Sequence, residues 1–366
     1  MLISMHNRRD SMTKAVLILE DGTVMQGHGF GAEGIAIGEI IFCTGMTGYV
    51  EALTDPSYKG QILTMTYPLI GNYGVNEEWF ESDGIKVEGF VVKENCSVPS
   101  HHKSKKSIDE FLKEYNICGI SDIDTRKLTK KIRTYGTMKA AIGVGDIDNE
   151  ELLKKVKSHK NISELNLVPE VCTDKPIILG NGKKTVVLID CGVKKSIVNQ
   201  LIKKNVNLVI VPYDSNYKDI LEYNPNGVFI SNGPGDPSIL KETINTVKNL
   251  IGKVPIYGIC LGHQIISLAL GAKTRKLKFG HHGLNQPIKD LENGRVYITS
   301  QNHNFAVSDL PDCMNITQIN LNDNSIEGIK HKELPIVGVQ YHPEAHPGPH
   351  DTYGFFDDFE KIIKQY

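Results

Sequence analysis

From Lys184 onward the chain alternates short, continuously apolar runs with amphipathic stretches, and this pattern constrains its fold more than any other feature. TVVLIDCG (185–192), VNLVIVPY (206–213), GVFISN (227–232), PIYGI (255–259) and PIVGVQY (335–341) read as strands. KKSIVNQLIKKN (194–205), PSILKETINTVKNLIG (237–252) and HQIISLALG (263–271) read as helices between them. Strands with apolar residues on both sides of the pleat need cover on both faces. The expected fold class is therefore α/β, a mainly parallel sheet flanked by helices. Active sites in such sheets collect at the carboxyl ends of the strands. In the closing segment FFDDFEKIIKQY, Phe355, Phe356, Phe359, Ile362 and Ile363 fall on one helical stripe.

The first half of the chain has a different texture and reads as a mixed α/β domain without repeats. AVLILEDGTVMQGHGFG (15–31) reads as a hairpin turning at Asp21-Gly22. EIIFCTGM (39–46), QILTMTY (61–67) and EGFVVKENC (88–96) read as strands, and SIDEFLKEYN and DTRKLTKKIRTYG as helices. A length of 366 residues suits two domains. The expected division is an N-terminal extension over 1–12, a first domain over 13–167, a linker over 168–183 and a second domain over 184–366. MLISMHNRRDSM contains no apolar stretch of signal-peptide length and reads as a loose extension or as an upstream start, with Met12 the real beginning.

Net charge is −2, which gives no electrostatic reason to expect nucleic acid or an anionic membrane as partner. The basic run HHKSKKS (101–107) reads as a solvated loop, with a partner-docking patch as the alternative. No apolar run approaches the length of a membrane span. Seven widely spaced cysteines with no C-x-x-C fit a reducing, cytoplasmic setting better than a disulfide framework. GNGKKT (181–185 and its preceding Gly) lacks phosphate-loop spacing, and no G-x-G-x-x-G follows a strand, so no nucleotide site is expected.

The segment Gly258-Ile259-Cys260-Leu261-Gly262-His263-Gln264 carries the chemistry. A buried strand ends and a helix begins almost at once, with glycine two residues before and two after the cysteine. This is a nucleophile elbow with sulfur in place of hydroxyl. It lifts Cys260 off the sheet edge onto a helix N-terminus, where an anion is favoured. From the elbow alone, a buried core cysteine remains the alternative. A free thiol is mostly protonated at neutral pH, so a base is needed. His342, in Gln340-Tyr341-His342-Pro343-Glu344, follows the last strand and fits that role. Extended chain would put Glu344 on the same side, where it could orient the imidazole. Metal binding by His342, His346 and His350 would need a helix that Pro343, Pro347 and Pro349 forbid, so no metal is expected. The Leu261 amide is a natural oxyanion donor, and the glycine loop 231–236 is a candidate for the second. Gln264, one helical turn past Cys260, can face the same pocket.

GICLGHQ, SNGPGDP and QYHPEA, in that order, resemble the three signatures of the class I glutamine amidotransferases. The resemblance implies a Cys260, His342, Glu344 triad, an oxyanion hole from the Leu261 and Gly233 amides, and glutamine held partly by Gln264. FGHHGLNQPI, SQNHNFAV and HPEAHPGPHDT resemble the carbamoyl-phosphate synthase small-subunit family, as do GEIIFCTGMTGYVEALTDPSY, TYPLIGNYGV and SDIDTRKLT in the first half. That similarity runs from about Met12 to the C-terminus. It implies that Ser57 contacts glutamine from the N-terminal domain, and that Gly235, Asn302 and Phe305 line the pocket. The family commonly has glycine where this chain has Asn304, which is kept as a backbone contact. If the position needs positive φ, Asn is the least costly replacement.

The resemblance further implies the activity of carbamoyl-phosphate synthase (glutamine-hydrolysing), in arginine and pyrimidine biosynthesis. Its partner would be a large subunit that receives ammonia and uses ATP, magnesium and bicarbonate, with no cofactor in this chain. The alternatives are an amidotransferase subunit of another synthase and a non-catalytic regulatory subunit on the same fold.

Overall fold

The computed structural model describes residues 13–366, and the extension expected over 1–12 lies outside them. The chain divides into two compact units: residues up to Thr54 with Gly60–Ile162, and Asp55–Lys59 with Ser163–Tyr366.

The first unit contains β1 (Lys14–Leu19), β2 (Val24–Gly31), β3 (Gly34–Cys43), α1 (Tyr49–Thr54), β4 (Gln61–Met65), β5 (Leu69–Ile70), β6 (Gly89–Val91), β7 (Glu94–Asn95), α2 (Ile108–Glu114), β8 (Cys118–Ser121), α3 (Thr125–Tyr135), β9 (Met138–Val144) and α4 (Asn149–Ser158). Seven strands close into a barrel in the order β1-β2-β8-β6-β4-β3-β9, while β5 and β7 form a separate ribbon. Closure leaves the barrel without an edge strand. The β1–β2 hairpin turns through Gly22, whose φ of 87° explains the glycine. Ser107 caps α2 through a capping box with Glu110. The apolar stripe of α4, Leu152 and Val156, packs on Val16, Ile18 and Ala141 of the barrel.

The second unit contains β10 (Ile177–Leu179), β11 (Lys184–Asp190), α5 (Lys195–Ile202), β12 (Val206–Pro212), α6 (Tyr217–Glu222), β13 (Gly227–Ile230), α7 (Lys241–Leu250), β14 (Ile256–Ile259), α8 (Leu261–Ala269), β15 (Lys273–Asp290), β16 (Val296–Ser308), β17 (Met314–Asn320), β18 (Ile326–His331), β19 (Ile336–Val339) and α9 (Gly354–Ile363). One ten-stranded sheet runs β10-β12-β11-β13-β14-β19-β18-β17-β15-β16. The five strands from β12 to β19 are mutually parallel, as their unbroken apolar sequences require. The remaining strands pair antiparallel.

Successive side chains of the parallel strands feed opposite cores. Val187, Ile189, Val228 and Ile230 join Ile265 and Ile266 of α8 on one face. Val186, Leu188 and Phe229 join Phe356, Phe359 and Ile363 of α9 on the other. The Phe229 ring stacks on Phe356 and meets Phe359 edge-on, at centroid distances of 6.1 and 5.3 Å. Strand β10 lies inside the stretch expected to be a linker. It pairs with β12 and forms the edge of the sheet, which gives Ile177–Leu179 a place despite their exposed faces.

Candidate active site

Strand β14 and helix α8 meet at Cys260, whose backbone stands at φ 53°, ψ −103°. A non-glycine residue held there stores on the order of 1–3 kcal/mol of strain. The neighbouring glycines are required by contact. A β-carbon on Gly258 would stand 2.6 Å from the Gly262 backbone, and one on Gly262 only 2.3 Å from the Ile230 carbonyl oxygen. The chain thus turns from β14 into α8, close against β13, with no room for a side chain on either flank. The Cys260 amide donates to the Val339 carbonyl at 2.8 Å, tying the elbow to the end of β19.

His342 stands just past β19, and its amide donates to Ser300 on β16 at 2.9 Å. The expectation of extended chain from His342 to Glu344 fails here. The Ala345 amide donates to the His342 carbonyl at 3.1 Å, so His342–Ala345 is a turn with Pro343 in its second position. Glu344 still faces His342: Nδ1 and Oε1 are 2.7 Å apart, with both side chains buried. The imidazole Nε2 makes no hydrogen bond of ordinary length and is the nitrogen left for the Cys260 sulfur. Burial opposes charge on His342, but the Glu344 carboxylate and the Cys260 side chain together push it up to about 10.

Sequence reasoning missed Lys194. Its ammonium is 2.9 Å from Glu344 Oε1 and donates to the Ala345 carbonyl, also at 2.9 Å. Burial would raise the Glu344 carboxyl, but Lys194 and then His342 bring it down to about 2. A buried carboxylate that faces a single histidine calls for a further cation. The lysine sits 150 residues upstream in a helix-start sequence, where nothing local marks it.

Of the residues expected to hold substrate, Gly233, Leu261, Gln264, Asn302 and Phe305 come together around the elbow. A β-carbon on Gly233 would stand 2.1 Å from the Cys191 carbonyl oxygen and 2.7 Å from the Leu261 side chain, so this loop and the start of α8 are in contact. Gly235 has φ 87°, which suits glycine. Asn232, between the end of β13 and Gly233, donates to the Ser57 hydroxyl at 2.8 Å. Ser57 was expected from the N-terminal domain; by its contacts the turn Asp55–Lys59 belongs to the second unit. The Asn302 carbonyl is 3.6 Å from Cys260 Sγ. The Gln264 amide donates to the Phe305 carbonyl at 2.8 Å and to Gln340 Oε1 at 3.0 Å, and Gln340 in turn points Nε2 at Sγ from 3.6 Å. Gln340 is a second residue not singled out from sequence, although it lies inside the QYHPEA signature.

Asn304 lies in strand β16 with ordinary negative φ, so the positive-φ explanation for its presence fails. It stands beside His282 instead. Among the described residues, His281, His303 and Glu327 bring ligand-type atoms within 4.8 Å of one another. These atoms are engaged: His281 bonds Gln301 and Asp323, and Glu327 accepts from Gln301 and Asn320. A cavity of about 590 Å³, lined by Tyr257, Tyr297, Tyr341 and Phe355, includes none of the expected site residues. Cys260 itself is only 2% exposed.

A thiol beside an imidazole, whose other nitrogen is held by a buried, cation-locked carboxylate, is equipped to attack a carbonyl carbon and protonate a leaving amine. The fold and this arrangement define a class of protein: residues 187–362 match the family Glutamine amidotransferase class-I. Residues 17–142 match Carbamoyl-phosphate synthase small chain, CPSase domain. A carbamoyl phosphate synthase small chain from Archaeoglobus fulgidus is 62% identical over 96% of this chain and 99% of its own. Another, from Methanocaldococcus jannaschii, is 58% identical over 95% of this chain and 99% of its own. Among solved structures, a glutamine amidotransferase from Thermotoga maritima aligns over 50% of this chain and 86% of its own, at 18% identity and a TM-score of 0.39. The chain belongs to the carbamoyl-phosphate synthase small-chain family. Among the described residues, no helix is long and apolar enough to cross a membrane.

Proposed function

We propose that this chain is the glutaminase subunit of a carbamoyl-phosphate synthase, working through Cys260, His342 and Glu344. The observation that carries the proposal is the buried line Lys194–Glu344–His342 beside a cysteine strained at a strand-to-helix elbow. Glutamine binds against Ser57, Gly235, Gln264, Asn302, Asn304 and Phe305. His342 holds the proton that Cys260 gives up, and the thiolate attacks the side-chain amide carbon to form a C–S bond. The Leu261 and Gly233 amides stabilise the oxyanion, and losing one such donor typically costs about 10²- to 10³-fold in rate. As the C–N bond breaks, His342 returns the proton to the departing nitrogen, which leaves as ammonia and the acyl group as a thioester. A water deprotonated by His342 then attacks the thioester, and the products are glutamate and the free cysteine. Glu344 holds the ring orientation and supports its charge, and Lys194 holds Glu344.

Ammonia set free in water would be protonated and lost as a nucleophile. No phosphate-loop or dinucleotide motif in the sequence offers a site to consume it here. The ammonia therefore has to pass to a large subunit that carries the ATP-, magnesium- and bicarbonate-dependent synthesis in the cytoplasm. Cys260→Ala tests it. The complex with a large subunit should lose glutamine-dependent synthesis and keep synthesis from added ammonia. Glutaminase activity persisting in that variant would overturn the assignment.

A further inference from the structure

A buried histidine on β15 is bonded to two of the residues assigned above to glutamine. His282 pairs in register with Asn302 across β15 and β16. Its Nδ1 lies 2.8 Å from Asn302 Oδ1, and its Nε2 lies 2.9 Å from Asn304 Oδ1. The other end of the Asn302 amide donates from Nδ2 to Asp55 Oδ2 at 3.0 Å. The Tyr58 ring stands over the same imidazole, with centroids 6.0 Å apart. Asp55, His282, Asn302 and Asn304 are all buried. Gly280 makes room for the arrangement: a β-carbon there would stand 2.5 Å from both the Asn304 amide and His282 Nε2. It sits in the register break that β15 makes between Lys276 and His281.

Counting donors gives this group a direction. The Asp55 carboxylate accepts, so the Asn302 amide must turn its NH₂ toward Asp55 and its carbonyl toward His282. A carbonyl only accepts, so His282 Nδ1 carries the ring hydrogen. Burial holds the imidazole neutral, with its pKa brought down to about 4 despite the two amides. Nε2 is then a lone pair that needs a donor. The structure sets Asn304 Oδ1 on that side, but the two ends of an asparagine amide have nearly the same shape, and the amide turned end for end supplies NH₂ there. Glycine at 304 could not.

We propose that His282 is a positioning residue of the glutamine site. It orders the series Asp55–Asn302–His282–Asn304 and so fixes the stretch of β16 on which substrate docks. The proposal rests on the glutaminase reading. His282 works through Asn302 and Asn304 and takes no part in bond making. Its loss should therefore appear in substrate binding rather than in the acyl chemistry.

The test uses the full chain and two independent readouts. In His282→Phe, which keeps a ring of similar size, KM for glutamine should rise about tenfold, the effect of one buried hydrogen bond. The kcat should stay within about twofold, as for a group contributing only to binding. Alkylation of Cys260 by iodoacetamide, read by mass spectrometry of its peptide, should keep its wild-type rate and so report an intact elbow. An unchanged KM, or a fall in kcat alone, overturns the proposal. Nitrogen-15 NMR of histidine-labelled wild-type protein needs no variant and should show His282 neutral with hydrogen on Nδ1. A charged ring or hydrogen on Nε2 also overturns it. Failure of the wild type to release glutamate would overturn the glutaminase reading instead, and the nitrogen-15 spectrum would still decide the order of the series.

Discussion

Lys194 Nζ and Glu344 Oε1 are 2.9 Å apart, and both side chains are buried. The same carboxylate oxygen takes the His342 bond at 2.7 Å, so one atom serves as the hinge between a fixed cation and the base. Lys194→Met should leave that carboxylate uncompensated. Breaking one side of a buried ion pair costs about 3–5 kcal/mol. The urea midpoint should fall accordingly. The sign of the pH effect follows from the depressed Glu344 pKa. Its stabilisation is present above the ordinary carboxylate range and is lost only as pH falls toward about 2. In Lys194→Met the Glu344 pKa should move back toward its ordinary value, so the acid loss attributable to this group should shrink and finish at higher pH. Identical midpoint-versus-pH curves for the two proteins would contradict this.

His342 gives the opposite sign. Its pKa is raised to about 10, so its contribution to stability is fully present below the ordinary histidine value and declines as pH rises toward about 10. Denaturation midpoints of the wild type across that window should show the decline. In Glu344→Gln, which lacks the charge that raises the imidazole, the decline attributable to this group should shrink.

The glycine contacts predict a separation between chemistry and folding. A β-carbon at 233 would press on the Cys191 carbonyl at 2.1 Å and displace the loop whose amide is assigned to the oxyanion. Gly233→Ala should therefore lower kcat for glutamine about 10²- to 10³-fold, with glutamine turnover the measurement. Gly262→Ala would press on the Ile230 carbonyl at 2.3 Å inside the sheet layer. It should also lower the unfolding midpoint, because neither β13 nor α8 can move without opening the core.

Cys260 is 2% exposed, and its sulfur has the Asn302 carbonyl and the Gln340 amide within 3.6 Å. Substrate cannot reach it without a local opening, a step that often limits turnover. The isolated chain should turn over glutamine slowly, and iodoacetamide should label Cys260 slowly. A large subunit that favours the open site should speed both. Rapid labelling of the isolated chain would contradict this.

The parallel half of the second unit was legible in the sequence because buried strands write themselves as unbroken apolar runs. The β15–β18 strands were not assigned, since KTRKLKFGHHGLNQPIKD mixes charge, histidine and glycine around a register break. Cys260 could be found because an elbow imposes glycines at fixed offsets. His342 and Glu344 were placed in contact for an incorrect reason: Pro343 makes a turn there, not an extended stretch. Lys194 and His282 stayed invisible because their importance comes from long-range partners. No local spacing encodes a bond 150 residues away. Ser57 was available only through family resemblance, since a serine after proline usually marks nothing more than a turn.

The most direct measurement is glutamate release from glutamine by the purified chain, alone and with a carbamoyl-phosphate synthase large subunit, ATP, magnesium and bicarbonate. The account predicts weak release alone, a marked rise with the large subunit, and carbamoyl phosphate formed in step with glutamate. Release that ignores the large subunit would contradict the partnership and leave only the Cys260 chemistry. No release under either condition would contradict the glutaminase itself.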